Sequence, residues 1–262
     1  HLLEPEAKRG FGLLPAPSDG DVFFDMEGDP LCEPAAGLEF LFGALWREPD
    51  GTTTYRAFWA HDRVEEKRAF EDFIDFVGER RAADPGMHVY HYAAYEKSTL
   101  ARLMSEHMTR EEEVDELLRG GVLVDLYQVV RQAMRAGMES YSLKEIEKFF
   151  FARVAEVGSG NEAVLEFERW LADGEGAHLD EIAAYNEEDC LATLELRDWL
   201  LGQREEAAAL YGASIPFLPP PEPRKAPPDE VSETAKLRDA LLARANEGGW
   251  QPLLGRLLEY HK

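Results

Sequence analysis

Residues 21–30 have the sequence DVFFDMEGDP, and the first seven have the pattern of a buried β-strand. Asp25 and Glu27 are two positions apart, and residues two apart in a strand share one face of the sheet. Neighbouring carboxylates repel each other unless a cation lies between them, and such hard oxygen ligands suit Mg²⁺ or Mn²⁺. The stretch therefore predicts a strand with a candidate metal site on one face. Incidental acids at an exposed strand end are the alternative interpretation.

The segments that follow indicate the rest of the sheet. LEFLFGALW at 38–46 and TTTYRAFWA at 52–60 are rich in β-branched and aromatic residues and are separated by the turn sequence PDG. We expect three consecutive antiparallel strands. Short apolar runs at 87–92 and 122–127 predict two more strands, each followed by a helix. This order is typical of an α/β fold, with a mixed sheet of antiparallel and then parallel strands flanked by helices.

Capping pairs predict where several helices begin, because a Ser, Thr or Asp side chain three residues before a Glu can cap a first turn. Four such pairs occur: Asp62 with Glu65, Thr109 with Glu112, Ser142 with Glu145, and Ser159 with Glu162. A long last helix is expected from about residue 179 to residue 210. The stripe formed by Phe70, Phe73 and Phe76 is interpreted as core and not as a platform for stacking bases.

The composition changes after residue 214. Residues 215–228, IPFLPPPEPRKAPP, contain too many prolines for a helix or a strand. We predict a main domain at 1–214, a proline-rich linker at 215–230, and a helical segment at 231–262 that starts a further module. Because the chain starts at His1 and ends in a helical pattern, we interpret it as a piece of a larger protein.

The net charge of −24 is unusual for a protein that binds phosphates, since such proteins normally have a basic surface. Solvated acidic helix faces are the simplest interpretation. No apolar run approaches the roughly 18 residues of a membrane span, and no signal peptide is present, so we expect a cytoplasmic protein without a membrane partner. Cys32 and Cys190 are too few for a disulfide framework and lack zinc-site spacing.

A second pair of candidate residues lies in AAYNEEDCLATLELRDWL, residues 183–200. Tyr185 and Asp189 are four positions apart in a predicted helix, so both lie on one side of it. A carboxylate there could complete a metal site, and a phenol one turn earlier could hold the attacking water. A core tyrosine and an exposed acid would produce the same spacing.

A third element is HVYHYAAYEKSTL, residues 88–100, where a strand ends and Glu96 begins a helix. Glu96 is the candidate fourth carboxylate, although a glutamate there also offsets the helix dipole. His91 and Lys97 flank this motif and could touch a phosphate, but a buried strand histidine and a solvated lysine are equally compatible with the pattern. Asp125, at the end of the next strand, could lie near the site.

In this order the D-x-E pair, HYAAYE and Y-x-x-x-D resemble the three exonuclease motifs of the DEDD branch of the RNase H-like superfamily, as in DnaQ-type proofreading exonucleases. FFDMEGDP, HVYHYAAYEKSTL and YNEEDC are also similar to YprB-type RNase H-like nucleases, particularly the domain of RecB-like nuclease–helicase fusion proteins. The resemblance covers roughly residues 10–210. It implies an RNase H-like mixed sheet and a 3′–5′ exonuclease for single-stranded nucleic acid, with DNA preferred to RNA.

The resemblance also implies two Mg²⁺ or Mn²⁺ ions and a role for each site residue. Asp25 would bridge both ions, Glu27 and Asp189 would complete the shell of one, and Glu96 would serve the second, largely through water. Tyr185 would orient the nucleophilic water, and Asp125 would lie outside the first coordination shell, with direct coordination as its alternative. The family has Asp at the position of Glu96, so the second metal position is where this chain departs from the pattern.

A superfamily-one helicase commonly follows such domains, which implies a helicase partner and a role in DNA repair or recombination. Two other functions remain open. One is a non-catalytic RNase H-like module that guides nucleic acid within a helicase protein. The other is a glycosidase with paired carboxylates, whose activity would survive metal chelation.

Overall fold

The computed structural model describes residues 1–32, 37–153, 160–221, 233–243 and 254. The chain divides into two compact units, His1–Pro221 and Glu222–Lys262. Most of the predicted linker and of the predicted helical segment lies outside the described residues. At the start of the proline-rich stretch, Ile215 is buried and the Leu218 backbone N–H donates to the Leu14 carbonyl at 2.8 Å. This short piece therefore packs within the first unit.

The described elements follow the order expected from the sequence. The strands are β1 (Val22–Asp29), β2 (Leu38–Arg47), β3 (Thr53–Trp59), β4 (Val89–His91) and β5 (Leu123–Asp125). The α-helices are α1 (Arg63–Ala83), α2 (Tyr95–His107), α3 (Glu111–Arg119), α4 (Leu126–Ala133), α5 (Leu143–Ile146), α6 (Gly160–Asp173), α7 (Gly176–Tyr211) and, in the second unit, α8 (Glu233–Ala243). Short 3-10 helices occupy Gly10–Leu13 and Glu147–Phe149.

The five strands form one mixed sheet in the order β3-β2-β1-β4-β5. β1 pairs with β2, and β2 with β3, in antiparallel directions, whereas β1 with β4 and β4 with β5 are parallel. Short connections suit the antiparallel neighbours, and the parallel strands need helical crossovers. The predicted α/β fold with a mixed sheet is confirmed, and β1 lies at its centre.

Alternation along β1 separates the two faces of the sheet. Phe24 packs against α1, where its ring stacks on Phe73 with centroids 4.2 Å apart. Phe23 points to the other face, which α4 and α7 cover. Asp25 and Glu27 are in phase with Phe23, so both carboxylates lie on the face that α7 covers. The stripe of Phe70, Phe73 and Phe76 is buried in the core on the α1 side.

Helix starts agree with the capping prediction in one case and differ in two, one of which is Ser142, which precedes α5 but forms no side-chain capping hydrogen bond. The Asp62 carboxylate accepts hydrogen bonds from the backbone N–H groups of Val64 and Glu65 at 2.8 and 2.9 Å, as expected. The prediction that Thr109 caps the next helix is wrong. Arg110 adopts a left-handed conformation with φ of 52° before α3 begins, and the Thr109 hydroxyl donates to Glu71 instead. Ser159 lies outside the described residues.

Helix α7 has 36 residues and is about 54 Å long at 1.5 Å per residue. It begins at Gly176, three residues before the predicted start, and ends before Gly212, which has φ of 61°. The helix carries Tyr185 and Asp189 in its first half, against β1 and β2. Among the described helices, including this one, none is both long enough and apolar enough to cross a bilayer.

Candidate active site

Three carboxylates from distant parts of the chain meet between β1 and α7. One oxygen from each of Asp25, Glu27 and Asp189 lies within 4.8 Å of the other two. Glu27 and Asp189 are 7% and 8% exposed, and Asp25 is partly buried. The β1–β2 register shifts by one residue directly after Glu27, beside the cluster, and the pairing then continues from Gly28 with Glu39. The structure thus brings together three of the four carboxylates that the sequence singled out.

The electrostatics of this cluster are unfavourable without a cation. Burial, followed by the charges of Glu27, Asp189 and Glu96, raises the pKa of Asp25 well above its usual value. Burial and the charge of Asp189 raise the pKa of Glu27 to about 8. Burial also raises the pKa of Asp189, although the Arg153 guanidinium opposes this shift. Without a cation, the ionised forms of these carboxyl groups are therefore disfavoured.

A divalent cation fits this donor set. Carboxylate oxygens are the ligands preferred by Mg²⁺ and Mn²⁺, and oxygens within 4.8 Å of one another are close enough to surround one ion after small side-chain shifts. A bound dication would also offset the repulsion that raises the pKa values of Asp25 and Glu27. The residues present thus fit a divalent metal.

Tyr185 lies one helical turn before Asp189 and faces the same cluster. The residue is 4% exposed, and the Asp189 carboxylate acts on its phenol. Burial, followed by the charge of Asp189, raises the pKa of Tyr185 above its usual value. The phenol therefore remains protonated at neutral pH. It can orient a water molecule by hydrogen bonds but cannot act as a general base.

Glu96, the fourth predicted carboxylate, is close to the cluster but turned towards another partner. Its Oε2 lies 3.3 Å from Nδ1 of His91, and both side chains are buried. Burial raises the pKa of Glu96, and the hydrogen bond from His91 opposes this shift. Its charge still contributes to the raised pKa of Asp25. Lys97, the other residue that flanks this motif, is exposed.

The Asp125 carboxylate accepts hydrogen bonds from neighbouring backbone and side-chain groups. Its Oδ1 accepts from the backbone N–H groups of Ala93 and Tyr127, both at 3.0 Å, and its Oδ2 accepts from Gln128 at 3.1 Å. It thereby caps α4 and fixes Ala93, which has φ of 74° in the turn before Glu96. Asp125 thus supports the segment that carries Glu96.

The sequence matches a known protein family over most of the first unit. A family model described as the RNase H superfamily matches residues 22–201, more than half of the 262 residues. The chain belongs to the RNase H superfamily. Members of this superfamily are generally nucleases that hydrolyse nucleic acid with divalent metal ions, and the matched span contains the whole carboxylate cluster. None of the curated proteins and none of the solved structures in the comparison matches the chain.

Asn186 contacts the carboxylate cluster directly, and sequence reasoning missed it. Its Nδ2 donates to Asp25 at 2.9 Å and to Glu27 at 3.4 Å, while its Oδ1 accepts from the Tyr55 hydroxyl at 2.9 Å. The close approach depends on Gly43, where a Cβ would lie 1.6 Å from Asn186 Oδ1. The only available signal was its position inside the YNEEDC string.

Two basic residues that were not predicted also adjoin the carboxylate cluster. Arg153 donates to the Asp189 carboxylate and pairs with Glu147. Lys144 lies with Nζ 4.8 Å from the centre of the Tyr185 ring. Neither residue belongs to a spacing pattern that sequence reasoning could have used, since each reaches the site through the path of the chain between α4 and α6.

Proposed function

We propose that this chain is a metal-dependent 3′–5′ exonuclease that hydrolyses phosphodiester bonds of single-stranded nucleic acid, with DNA preferred to RNA. The observation that carries the proposal is the cluster of Asp25, Glu27 and Asp189, with ligand oxygens within 4.8 Å of one another and Tyr185 one helical turn before Asp189. Membership of the RNase H superfamily supports nuclease chemistry at this cluster. The DEDD type with tyrosine as the water-orienting residue is the finer part of the proposal.

Each site residue has a role in this proposal. Asp25, Glu27 and Asp189 would hold one Mg²⁺ or Mn²⁺ ion, and Asp25 with Glu96 a second, with Glu96 acting largely through water. Bound ions would supply Lewis-acid stabilisation of the attacking and leaving oxygens in an in-line displacement. Tyr185 would orient the attacking water, and Asn186 would fix the Asp25 carboxylate by its 2.9 Å hydrogen bond.

The proposed 3′–5′ direction of cleavage, the single-stranded substrate and the helicase partner rest on the resemblance to DEDD exonucleases and to nuclease–helicase fusion proteins. A single strand also suits the net charge of −24, because a few contacts at one end require less basic surface than a duplex does. We propose a role in DNA repair or recombination beside a superfamily-one helicase. Residues 215–230 would link the nuclease domain to a module that starts at 231–262.

The test is cleavage of 5′-labelled single-stranded DNA and RNA by the full chain with Mn²⁺. We expect a ladder that shortens from the 3′ end, faster on DNA, and no cleavage in EDTA. Asp25→Asn and Asp189→Asn should abolish cleavage. Glu187→Gln is the matched control because Glu187 is an exposed acid two residues before Asp189. If Asp189→Asn cleaves like the wild type, the proposed function is lost.

A non-catalytic module that guides nucleic acid is the second candidate. It is motivated by Glu96, which replaces the Asp of the family pattern and contacts His91 at 3.3 Å. That function predicts binding of an oligonucleotide without cleavage and no increase in melting temperature with Mn²⁺. A glycosidase would instead hydrolyse a glycoside substrate and would retain that activity in EDTA.

A further inference from the structure

Arg153 is a cation fixed beside the carboxylate cluster by Glu147. Its Nε donates to Glu147 Oε1 at 2.6 Å, and its Nη2 donates to Oε2 at 2.7 Å. Two parallel bonds fix the plane of a guanidinium as well as its position. The side chains of Arg153 and Glu147 are only 15% and 8% exposed. The guanidinium is therefore held by a buried anchor that lies outside the proposed ligand set.

The other donors of Arg153 lie next to the site. Nη2 also donates to Asp189. Nη1 is buried and has no hydrogen-bond partner among the residues that the structure describes, and it lies 3.8 Å from Glu188 Oε2, which is beyond hydrogen-bond distance. Buried polar groups are nearly always hydrogen-bonded in proteins. An oxyanion that accepts from Nη1 would satisfy this donor.

Two basic side chains, Arg153 and Lys144, lie against the ring of Tyr185. The Arg153 guanidinium carbon lies 5.9 Å from the centre of the Tyr185 ring, and Lys144 Nζ lies 4.8 Å from it. Arg153 and Lys144 are thus two cations at one ring, beside the carboxylate cluster, in a chain with a net charge of −24. An anionic group bound beside Tyr185 and Asp189 would lie within reach of both.

We propose that Arg153 binds a non-bridging oxygen of the scissile phosphate, with Glu147 as its positioning residue. The inference rests on the proposed nuclease function and assigns to it a phosphate-binding residue. In hydrolysis the water oxygen bonds to phosphorus and the bond to the leaving 3′ oxygen breaks. The leaving oxygen takes the electron pair and a proton, and the water releases one. Negative charge grows on the non-bridging oxygens, where a fixed guanidinium stabilises the transition state.

A structural role for Arg153 is the competing explanation. In that case the guanidinium would only hold Asp189 in place, and its loss would change the affinity for Mn²⁺ without changing contacts to phosphate. The two roles separate in the salt dependence of oligonucleotide binding. Each lost phosphate contact on a single strand reduces the slope of log K against log salt by about 0.7.

The experiment compares the wild-type chain with Arg153→Gln, Arg153→Lys and Arg110→Gln. Arg110 is the matched control because it forms the same two-bond pair with Asp75, at 2.7 and 2.7 Å, away from the cluster. Binding of a 5′-labelled oligodeoxythymidylate is measured by fluorescence anisotropy in Ca²⁺ at several salt concentrations. The ratio kcat/KM is measured in Mn²⁺, Mn²⁺ binding by calorimetry, and folding by urea unfolding.

We expect Arg153→Gln to weaken oligonucleotide binding, reduce the salt slope by about 0.7 and lower kcat/KM on the order of 10²-fold. Arg153→Lys should keep the slope but lower kcat/KM by less, because it keeps the charge and loses the paired donors. If Arg153→Gln does not fold, a wild-type kcat/KM for Arg153→Lys overturns the inference.

Two further outcomes separate this inference from the proposed function. An Arg153→Gln variant with the wild-type dissociation constant and salt slope overturns the phosphate-binding role, whatever its cleavage rate. A wild type that binds the oligonucleotide through Arg153 but never cleaves it overturns the nuclease function alone. A wild type that does not bind the oligonucleotide overturns both.

Discussion

Asn186 donates its side-chain amide to the Asp25 carboxylate at 2.9 Å, across the contact between α7 and the centre of the sheet. The same amide reaches Glu27 at 3.4 Å, and its oxygen accepts from Tyr55. One neutral side chain thus connects the two strand carboxylates to β3. Because the residue is fully buried, each of these bonds is shielded from water.

Replacement of Asn186 by Ala should lower the free energy of unfolding by about 1–3 kcal/mol, because buried partners lose their hydrogen bonds. Gln203→Ala is the control, since its amide bonds Glu206 on the exposed surface of the same helix. That variant should stay within about 0.5 kcal/mol of the wild type. Urea unfolding in EDTA measures both. Equal effects of the two substitutions would contradict the role given to Asn186.

The metal-free protein should become less stable as pH rises. Asp25, Glu27, Glu96 and Asp189 all have a raised pKa, so the folded state binds more protons than the unfolded chain at neutral pH. For Glu27, the stabilisation is present below its usual pKa of 4.5 and is lost as pH rises towards about 8. Urea unfolding in EDTA across this range measures the slope.

Glu27→Gln should flatten that slope, because the variant cannot bind the proton at this position, and Glu187→Gln should leave it unchanged. Mn²⁺ should stabilise the wild type more at the upper end of the range than at the lower end, since deprotonated carboxylates bind the ion. A slope that is the same in Glu27→Gln and in the wild type would show that other groups cause it.

Gly43→Ala should disrupt the site, because Gly43 lies in β2 opposite Asp25 of β1. A methyl group there would lie 1.6 Å from Asn186 Oδ1, so α7 or the asparagine would have to move. We expect a loss of about 1–3 kcal/mol in the free energy of unfolding, together with loss of cleavage. Gly78→Ala is the control: it lies in α1 with nothing within 4 Å of an added Cβ, and should gain about 0.5–1 kcal/mol. A neutral Gly43→Ala would refute the close contact.

Asp125→Ala should cost at least about 1–2 kcal/mol, the usual effect of removing a helix cap. It should also weaken Mn²⁺ binding moderately, because the turn at Ala93 that precedes Glu96 loses its anchor. Asp125→Asn retains an acceptor oxygen and should have a smaller effect on both. Calorimetry with Mn²⁺ decides the role: if Asp125→Ala abolishes binding as completely as Asp189→Asn does, Asp125 is a metal ligand.

Local spacing predicted much of the site. Asp25 with Glu27, and Tyr185 with Asp189, have the periods of a strand and of a helix, and those periods fix which side chains share a face. The order of the strands and helices along the chain also followed from pattern and turn signals. These features depend on neighbours in the sequence, which is why they could be predicted.

The missed features depend on packing between distant segments. Asn186 enters the site because Gly43 lets α7 approach β2 closely. The spacing of residues along the sequence does not indicate how closely two distant segments pack. The direction of the Glu96 side chain depends on His91, a partner in the preceding strand. Thr109 failed as a cap because Arg110 takes a left-handed conformation, and Thr109 bonds to Glu71 of α1 instead.

The separation along the chain between the two halves of the site has a consequence during synthesis. Asn186 and Asp25 are 161 residues apart, and they meet only after α7 packs on the sheet. A ribosome would release the first strand long before the helix that completes the cluster. A nascent chain of this kind would hold only half of the carboxylate cluster, so the proposed cleavage of nucleic acid would begin only after nearly the whole domain has folded.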